Sequence, residues 1–238
     1  MQPAVRDRGE QLPALRDQLL RCELRPAPLR HLGALRSQPG PPSWTLAELL
    51  GRLVELSSQR ASAALSLALR VVPDAQRQGE QAAWVGGRAS TFYPPDAAEL
   101  GVDLAALVVV RLPRDGEIAL AGEWLARSGS FGLVVLDLTR WGAVPMALQS
   151  RLLAQAQKHD LAVLCLTEKA SSAASLSSLV SLRAEARLRR RTTAEQDAGQ
   201  AAAGAGASFE CELAVLKDKR RSRLWSQVEV ARGTPGLR

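Results

Sequence analysis

Between Gly51 and Leu166, short apolar runs alternate with amphipathic stretches, and that alternation limits the fold more than any other property of the chain. The apolar runs predict strands over Arg52 to Leu56, Ala82 to Gly86, Leu107 to Arg111, Leu133 to Asp137 and Leu161 to Leu166. Helices are expected over Ala61 to Val72, Gly116 to Ser128 and Pro145 to His159, the last opening on a proline suited to a first helical turn. Strand and helix in strict alternation argue for an α/β domain with a mostly parallel sheet. After Ser171 the pattern changes. In SLRAEARLRR, Leu182, Ala184, Ala186 and Leu188 alternate with polar neighbours, the two-residue period of a strand. Residues 193–208 (TAEQDAGQAAAGAGAS) read as a flexible loop by composition, and FECELAVL, KDKRRSR and LWSQVEV read as a β-hairpin with a basic tip.

The 238 residues suit one domain with an N-terminal appendage, and 46% hydrophobic residues are enough for a substantial core. The predicted division is an arm and Pro-rich linker over 1–43 and a core over 44–238. Within the arm, Leu12, Leu15 and Leu19 fall at i, i+3 and i+7 and form one apolar helical stripe. A lone helix this short is marginal in water, so the stripe is expected to pack on the core or on a partner. RPAPLR and SQPGPPS then break the helix.

Between the first strand and the first helix lies SSQRASAA, Ser57 to Ala64. A phosphate-binding loop at this place needs glycines for close backbone approach, a lysine for the β and γ oxygens, and a hydroxyl for Mg²⁺. This loop has no glycine and no lysine, and Ser57, Ser58, Gln59, Arg60 and Ser62 stand where that chemistry would be.

The segments GRLVEL, AAELGVDLAALVV, DGEIALAGEWLARSG and FGLVVLDL resemble, in order and spacing, the core of bacterial RecA recombinases. The resemblance runs from about Trp44 to Val230, and LKDKRRSRLWSQVEV is similar to the final hairpin of RecA. It implies a RecA-like core: a twisted, mostly parallel sheet flanked by helices, with antiparallel strands at its C-terminal end and an N-terminal helical arm. It also implies roles. Asp137 matches the acidic residue that helps hold Mg²⁺. The catalytic glutamate after the second strand matches Arg88, whose guanidinium cannot act as a base at neutral pH. The polar residue that couples nucleotide to DNA matches Glu168, which would repel phosphate. The DNA-contacting loops match TRWGAVP and EKASSAAS, short and poor in glycine, so insertion between bases is not expected. Arg140 and Trp141 could still offer a cation and a stacking face, against the plainer reading of Trp141, Trp84 and Trp124 as packing.

Such a chain is expected to be no enzyme and to hold no cofactor or metal. The sequence is similar to the ImuA family, degenerate RecA-like accessory proteins of the bacterial SOS mutagenesis (translesion synthesis) cassette. That likeness implies RecA as a partner, an ImuB-type polymerase relative as a second, an error-prone replicative-type polymerase indirectly, and DNA as a further candidate. Leu12, Leu15 and Leu19 are the candidate RecA-facing residues. Two other readings compete: a SulA-like division inhibitor acting on FtsZ, and an ATPase in which Arg60 or Ser62 replaces the missing groups.

Charge supplies the remaining candidate. The chain has 31 Lys+Arg against 24 Asp+Glu, a net +7; residues 183–238 hold 12 basic and 7 acidic side chains, so +5 of that excess lies there. Arg187, Arg189, Arg190, Arg191, Lys217, Lys219, Arg220, Arg221 and Arg223 are expected to form one patch for DNA or an acidic partner. The bland alternative is a solvated, Arg-biased face. Cys22, Cys165 and Cys211 are far apart and suggest neither zinc nor disulfides, and His31 and His159 offer no histidine-based site. MQPAVRDRGE has no apolar signal core and no apolar run approaches a membrane span, so a cytoplasmic, nucleoid-associated protein is expected.

Overall fold

The computed structural model describes residues 42–59, 63–90, 92–139, 143–190 and 208–232. The expected arm stripe of Leu12, Leu15 and Leu19 lies outside the described residues, as do Arg140 and Trp141. The described chain opens with a four-residue helix α1 (Leu46–Leu49) and then β1 (Arg52–Ser58). There follow α2 (Ala63–Arg77), β2 (Gln81–Gly86), α3 (Pro94–Glu99), β3 (Leu107–Arg111) and α4 (Ile118–Ser128). The remainder is β4 (Phe131–Asp137), α5 (Met146–His159), β5 (Ala162–Glu168), β6 (Leu182–Arg190), β7 (Ser208–Asp218) and β8 (Ser226–Arg232). They build one eight-stranded sheet in the order β3-β2-β4-β5-β1-β6-β7-β8. The first six of these are parallel, whereas β6–β7 and β7–β8 are antiparallel. The α/β fold with antiparallel strands at its C-terminal end is therefore as the sequence predicts.

Central strands are buried on both faces because helices cover both. All seven residues of β1 and all seven of β4 are buried. On one face, Val54, Leu56, Trp84, Val135 and Leu164 pack with Leu67, Ala68, Val71 and Val72 of α2. On the other, Leu53, Val85, Leu136 and Val163 meet Ile118, Ala121 and Leu125 of α4 and Leu148 and Leu152 of α5. Each such Leu, Ile or Val contributes about 1.5–3 kcal/mol by leaving water. Trp84 is fully buried and lies 5.2 Å from the Phe92 ring, the packing role expected of it.

The helices differ from the periodicity in several places. The helix expected to end at Val72 continues through Pro73 to Arg77, because Ala75 extends its buried stripe and Asp74 accepts a hydrogen bond from the Leu46 N–H at 2.7 Å. Packing there outweighs the ~3 kcal/mol usually lost to an interior proline. The helix expected from Gly116 begins at Ile118, after a 3₁₀ turn over Asp115–Glu117. Helices α1 and α3 were not expected, since four and six residues are too few to display a helical period.

The C-terminal strands are locked to the start of the sheet by charge. Arg52 in β1 and Asp218 at the end of β7 form an ion pair with side chains 1% and 0% exposed. Arg52 also donates to the Glu48 carbonyl and to Ser181 Oγ.

Candidate functional site

The C-terminal ends of β1, β2, β4 and β5 lie side by side. Ser58 is the register partner of Glu168, Asp137 that of Leu166, and Gly86 follows Val85, the partner of Leu136. The structure thus brings Ser57, Ser58, Gln59, Asp137 and Glu168 to one edge, with Arg88 two residues beyond β2. Arg60 and Ser62 fall outside the described residues.

Ser57, the Ser58 carbonyl and Asp137 are bonded within the chain. Ser57 is buried and donates its hydroxyl to the Ala184 carbonyl of β6 at 3.2 Å. The Ser58 carbonyl accepts from the Lys169 N–H at 3.2 Å. Asp137 is buried and accepts at both oxygens: Ser90 Oγ donates to Oδ2 at 2.7 Å, and Thr139 donates to Oδ1 from Oγ1 at 2.6 Å and from its N–H at 3.3 Å. This closeness depends on Gly86, where a Cβ would lie 2.6 Å from Ser90 Oγ. Arg88 and Glu168 point to solvent, and Gln59 is exposed.

Sequence reasoning missed a second polar group beside this edge. Glu55, fully buried in β1, accepts from Thr167 Oγ1 at 3.0 Å and the Leu176 N–H at 2.9 Å, and pairs with Lys169. Lys169 Nζ also donates to the Ala174 carbonyl at 2.7 Å. Buried Arg183 of β6 donates to the carbonyls of Ala170, at 2.9 Å, and Ala173. Ser177 Oγ bonds Gln149 Oε1 at 2.5 Å, and Gln149 Nε2 donates to the Val144 carbonyl at 2.7 Å. The segment after β5 is therefore pinned at several points. A glutamate inside the otherwise apolar GRLVEL was the available signal. Burial, reinforced by the Glu55 carboxylate, pushes the Cys165 thiol far above its ordinary range and leaves it inert as a nucleophile.

The expected single basic patch is corrected by the register. Each cluster lies at the C-terminal end of its own strand, and β6 and β7 are antiparallel, so the clusters lie at opposite ends. Arg187 pairs with Glu212 and Arg190 with Phe209, whereas Lys217 pairs with Arg183. At about 3.4 Å per residue, Arg187 and Lys217 stand roughly 17 Å apart along the strands. The side chain of Arg190 and all of Arg191 lie outside the described residues. At the hairpin tip, Arg221 pairs with Glu48, Arg220 donates to the Leu50 carbonyl at 2.8 Å, and Lys219 donates to the Ser178 carbonyl. These three side chains fasten the tip to α1, the turn after it and the segment before β6. Arg223 is exposed, and Arg187 pairs with Glu185 at 2.7 Å.

A parallel sheet in this order, with a strand–loop–helix at its centre, an acidic end to β4 and an antiparallel ribbon closing one side, defines a RecA-like α/β domain. Residues 48–164 match the family model described as the RecA N-terminal domain. Similar curated proteins include the Protein RecA of Chlorobium chlorochromatii (strain CaD3), 36% identical over 118 residues that cover 44% of this chain and 33% of that protein. The Protein RecA of Chlorobium limicola is 38% identical over 119 residues, again 44% and 33% of the two chains. That of Leifsonia xyli subsp. xyli is 36% identical over 118 residues, 44% and 32%. The chain thus spans about a third of the length of the curated relatives it matches. The matched region ends within β5, so the pinned segment and the β6–β8 ribbon lie beyond it. No helix among the described residues is long and apolar enough to cross a membrane.

Proposed function

We propose that this chain is a non-catalytic RecA-like accessory protein of bacterial DNA damage tolerance, of the ImuA kind, which binds RecA and modulates its filament. The observation that carries the reading is the loop SSQRASAA, which stands at the phosphate-binding place with neither glycine nor lysine. Asp137 accepts from the hydroxyls of Ser90 and Thr139, which tie it to this chain's own loops. Arg88 in place of a base supports the same direction. With turnover gone, a retained RecA-like scaffold serves recognition. A chain that resembles a RecA subunit offers a complementary face to a filament end, and by lacking nucleotide at the other face it stops extension. The ImuB-type protein is the second partner in this reading, and an error-prone polymerase joins through it.

The test pairs RecA pull-down by the full chain with RecA filament growth on single-stranded DNA, with and without ATP. The expected result is capture of RecA and slowed growth at substoichiometric amounts of the chain. Nucleotide should act only through RecA. Absence of any RecA interaction would sink the proposal, as would saturable ATP binding by the purified chain that disappears in Asp137→Ala.

A further inference from the structure

β8 ends the sheet, and among the described residues no strand lies on its outer side. The Val215 N–H donates to the Trp225 carbonyl at 2.9 Å, and from there the register sets Ala214 opposite Ser226, Leu213 opposite Gln227, Glu212 opposite Val228 and Cys211 opposite Glu229. Bonded and non-bonded pairs alternate along an antiparallel ladder. Trp225, Gln227 and Glu229 therefore turn their backbone groups to β7, and Ser226, Val228 and Val230 turn theirs outward. Natural edge strands are guarded by proline, lysine, a bulge or an inward-pointing charge. β8 (SQVEVAR) has no proline and no lysine, and its register with β7 runs without a shift. Glu229, which could guard the edge by its charge, is paired with Arg70 of α2 at 2.6 Å.

The side chains at this edge add apolar surface. Leu224, just before β8, is 62% exposed and Val228 58%, the two most exposed large apolar side chains among the described residues. A twofold interface needs a patch that complements itself, and β8 does. With the axis at Val228, antiparallel pairing of two copies sets Val228 on its own counterpart and Ser226 opposite Val230 twice over. All the outward backbone groups named above then find partners, about six hydrogen bonds between the chains. The same register sets Gln227 opposite Glu229, amide against carboxylate, a pair these two side chains already make within one chain at 2.7 Å. An axis at Glu229 would instead oppose two carboxylates, which is unfavourable.

We propose that β8 is a self-association edge, through which two copies of this chain pair antiparallel about a twofold axis at Val228 and join their eight-stranded sheets into one. β8 lies three strands from β1 and at the opposite side of the sheet from β3, so this edge is separate from the eroded nucleotide site. The pairing requires neither RecA nor nucleotide, and its failure would leave the RecA-binding reading untouched.

Sedimentation velocity of the full chain from roughly 1 to 200 μM tests it. One strand edge buries less than a standard interface, so a reversible monomer–dimer equilibrium with a Kd on the order of 10 μM is expected. Val228→Lys sets two like charges on the axis and should weaken the dimer on the order of tenfold or more. Val228→Pro removes an outward N–H, leaves the bonds to β7 in place and should weaken the dimer likewise. Val109→Lys, in β3 at the other edge of the sheet, is the control and should leave the dimer intact. A chain that stays monomeric across the range overturns the proposal, and so does a dimer that survives Val228→Lys or is lost in Val109→Lys. A dimer that forms only once residues 1–41 are removed would give the edge to that segment, and overturns it as well.

Discussion

Arginines stand at both ends of β6, and the two ends do opposite things. Arg183, near its start, is 4% exposed and holds two carbonyls of the segment after β5. Arg187, four residues on, has a side chain 56% exposed and pairs with Glu185 beside it. Residue type and local sequence are nearly the same. What separates them is what covers each end: the pinned segment and the hairpin tip close over Arg183, while Arg187 faces outward. A run of arginines is therefore no unit of function in this chain.

The largest effect should come from breaking the closed end at its foundation. Arg52→Met leaves the buried Asp218 carboxylate without a counter-ion, with its Oδ2 already lacking a donor. Removal of one partner from a buried pair costs about 3–5 kcal/mol. Urea denaturation should show that loss as a lower midpoint, with the tip of the β7–β8 hairpin released from α1. A loss under about 1 kcal/mol would mean that the pair does not hold the ribbon in place.

An intermediate effect is expected at Glu55. Glu55→Gln keeps the size of the side chain but removes the charge that faces Lys169, and the amide nitrogen confronts a donor, either the Leu176 N–H or the Lys169 ammonium. A cost of about 1–3 kcal/mol follows. Its signature should be local: amide exchange over residues 169–180 should rise ahead of exchange in β1 and β4, as for a segment that opens without global unfolding. Uniform acceleration throughout the chain would show that Glu55 supports the whole sheet and is no latch for this segment.

Much of this architecture was legible in advance, for a definite reason. The strand runs of the parallel sheet are apolar on both faces, so composition alone marks them. The two-residue alternation of Leu182, Ala184 and Ala186 marks β6 equally well, because only one of its faces meets α2. The short helices α1 and α3 carried no period to read. The polar site was less visible. Asp137 could be located by its place after an apolar run, but its two hydroxyl donors come from Ser90, 47 residues earlier, and from Thr139. Linear sequence carries no trace of that pairing. The basic clusters misled for a related reason: sequence shows their charge, whereas only antiparallel register shows that they point to opposite ends. Glu55 was visible as an anomaly in GRLVEL, yet its partners Thr167, Lys169 and Leu176 lie more than 100 residues away.

The smallest effect concerns pH and separates the two ends of β6 most finely. Lys217 faces Lys219, Glu55 and Arg183, and its folded-state pKa lies below that of the unfolded chain, chiefly through burial. Within the window between those two values the unfolded state binds more protons than the folded state. Stability therefore rises with pH there, below the ordinary lysine value of 10.5. Lys217→Gln should flatten this rise, since it removes the titrating group and with it one desolvated charge. Arg187→Ala offers the counterpart at the open end. The substitution leaves Lys217 and the groups it faces in place but takes the partner from Glu185, whose side chain is 4% exposed, so the slope should persist with the whole curve lowered. Denaturation midpoints measured across the alkaline range decide between these outcomes. A slope unchanged by Lys217→Gln would place the strained cation elsewhere in the chain, whereas a slope changed by Arg187→Ala would mean that the two ends of β6 are coupled after all.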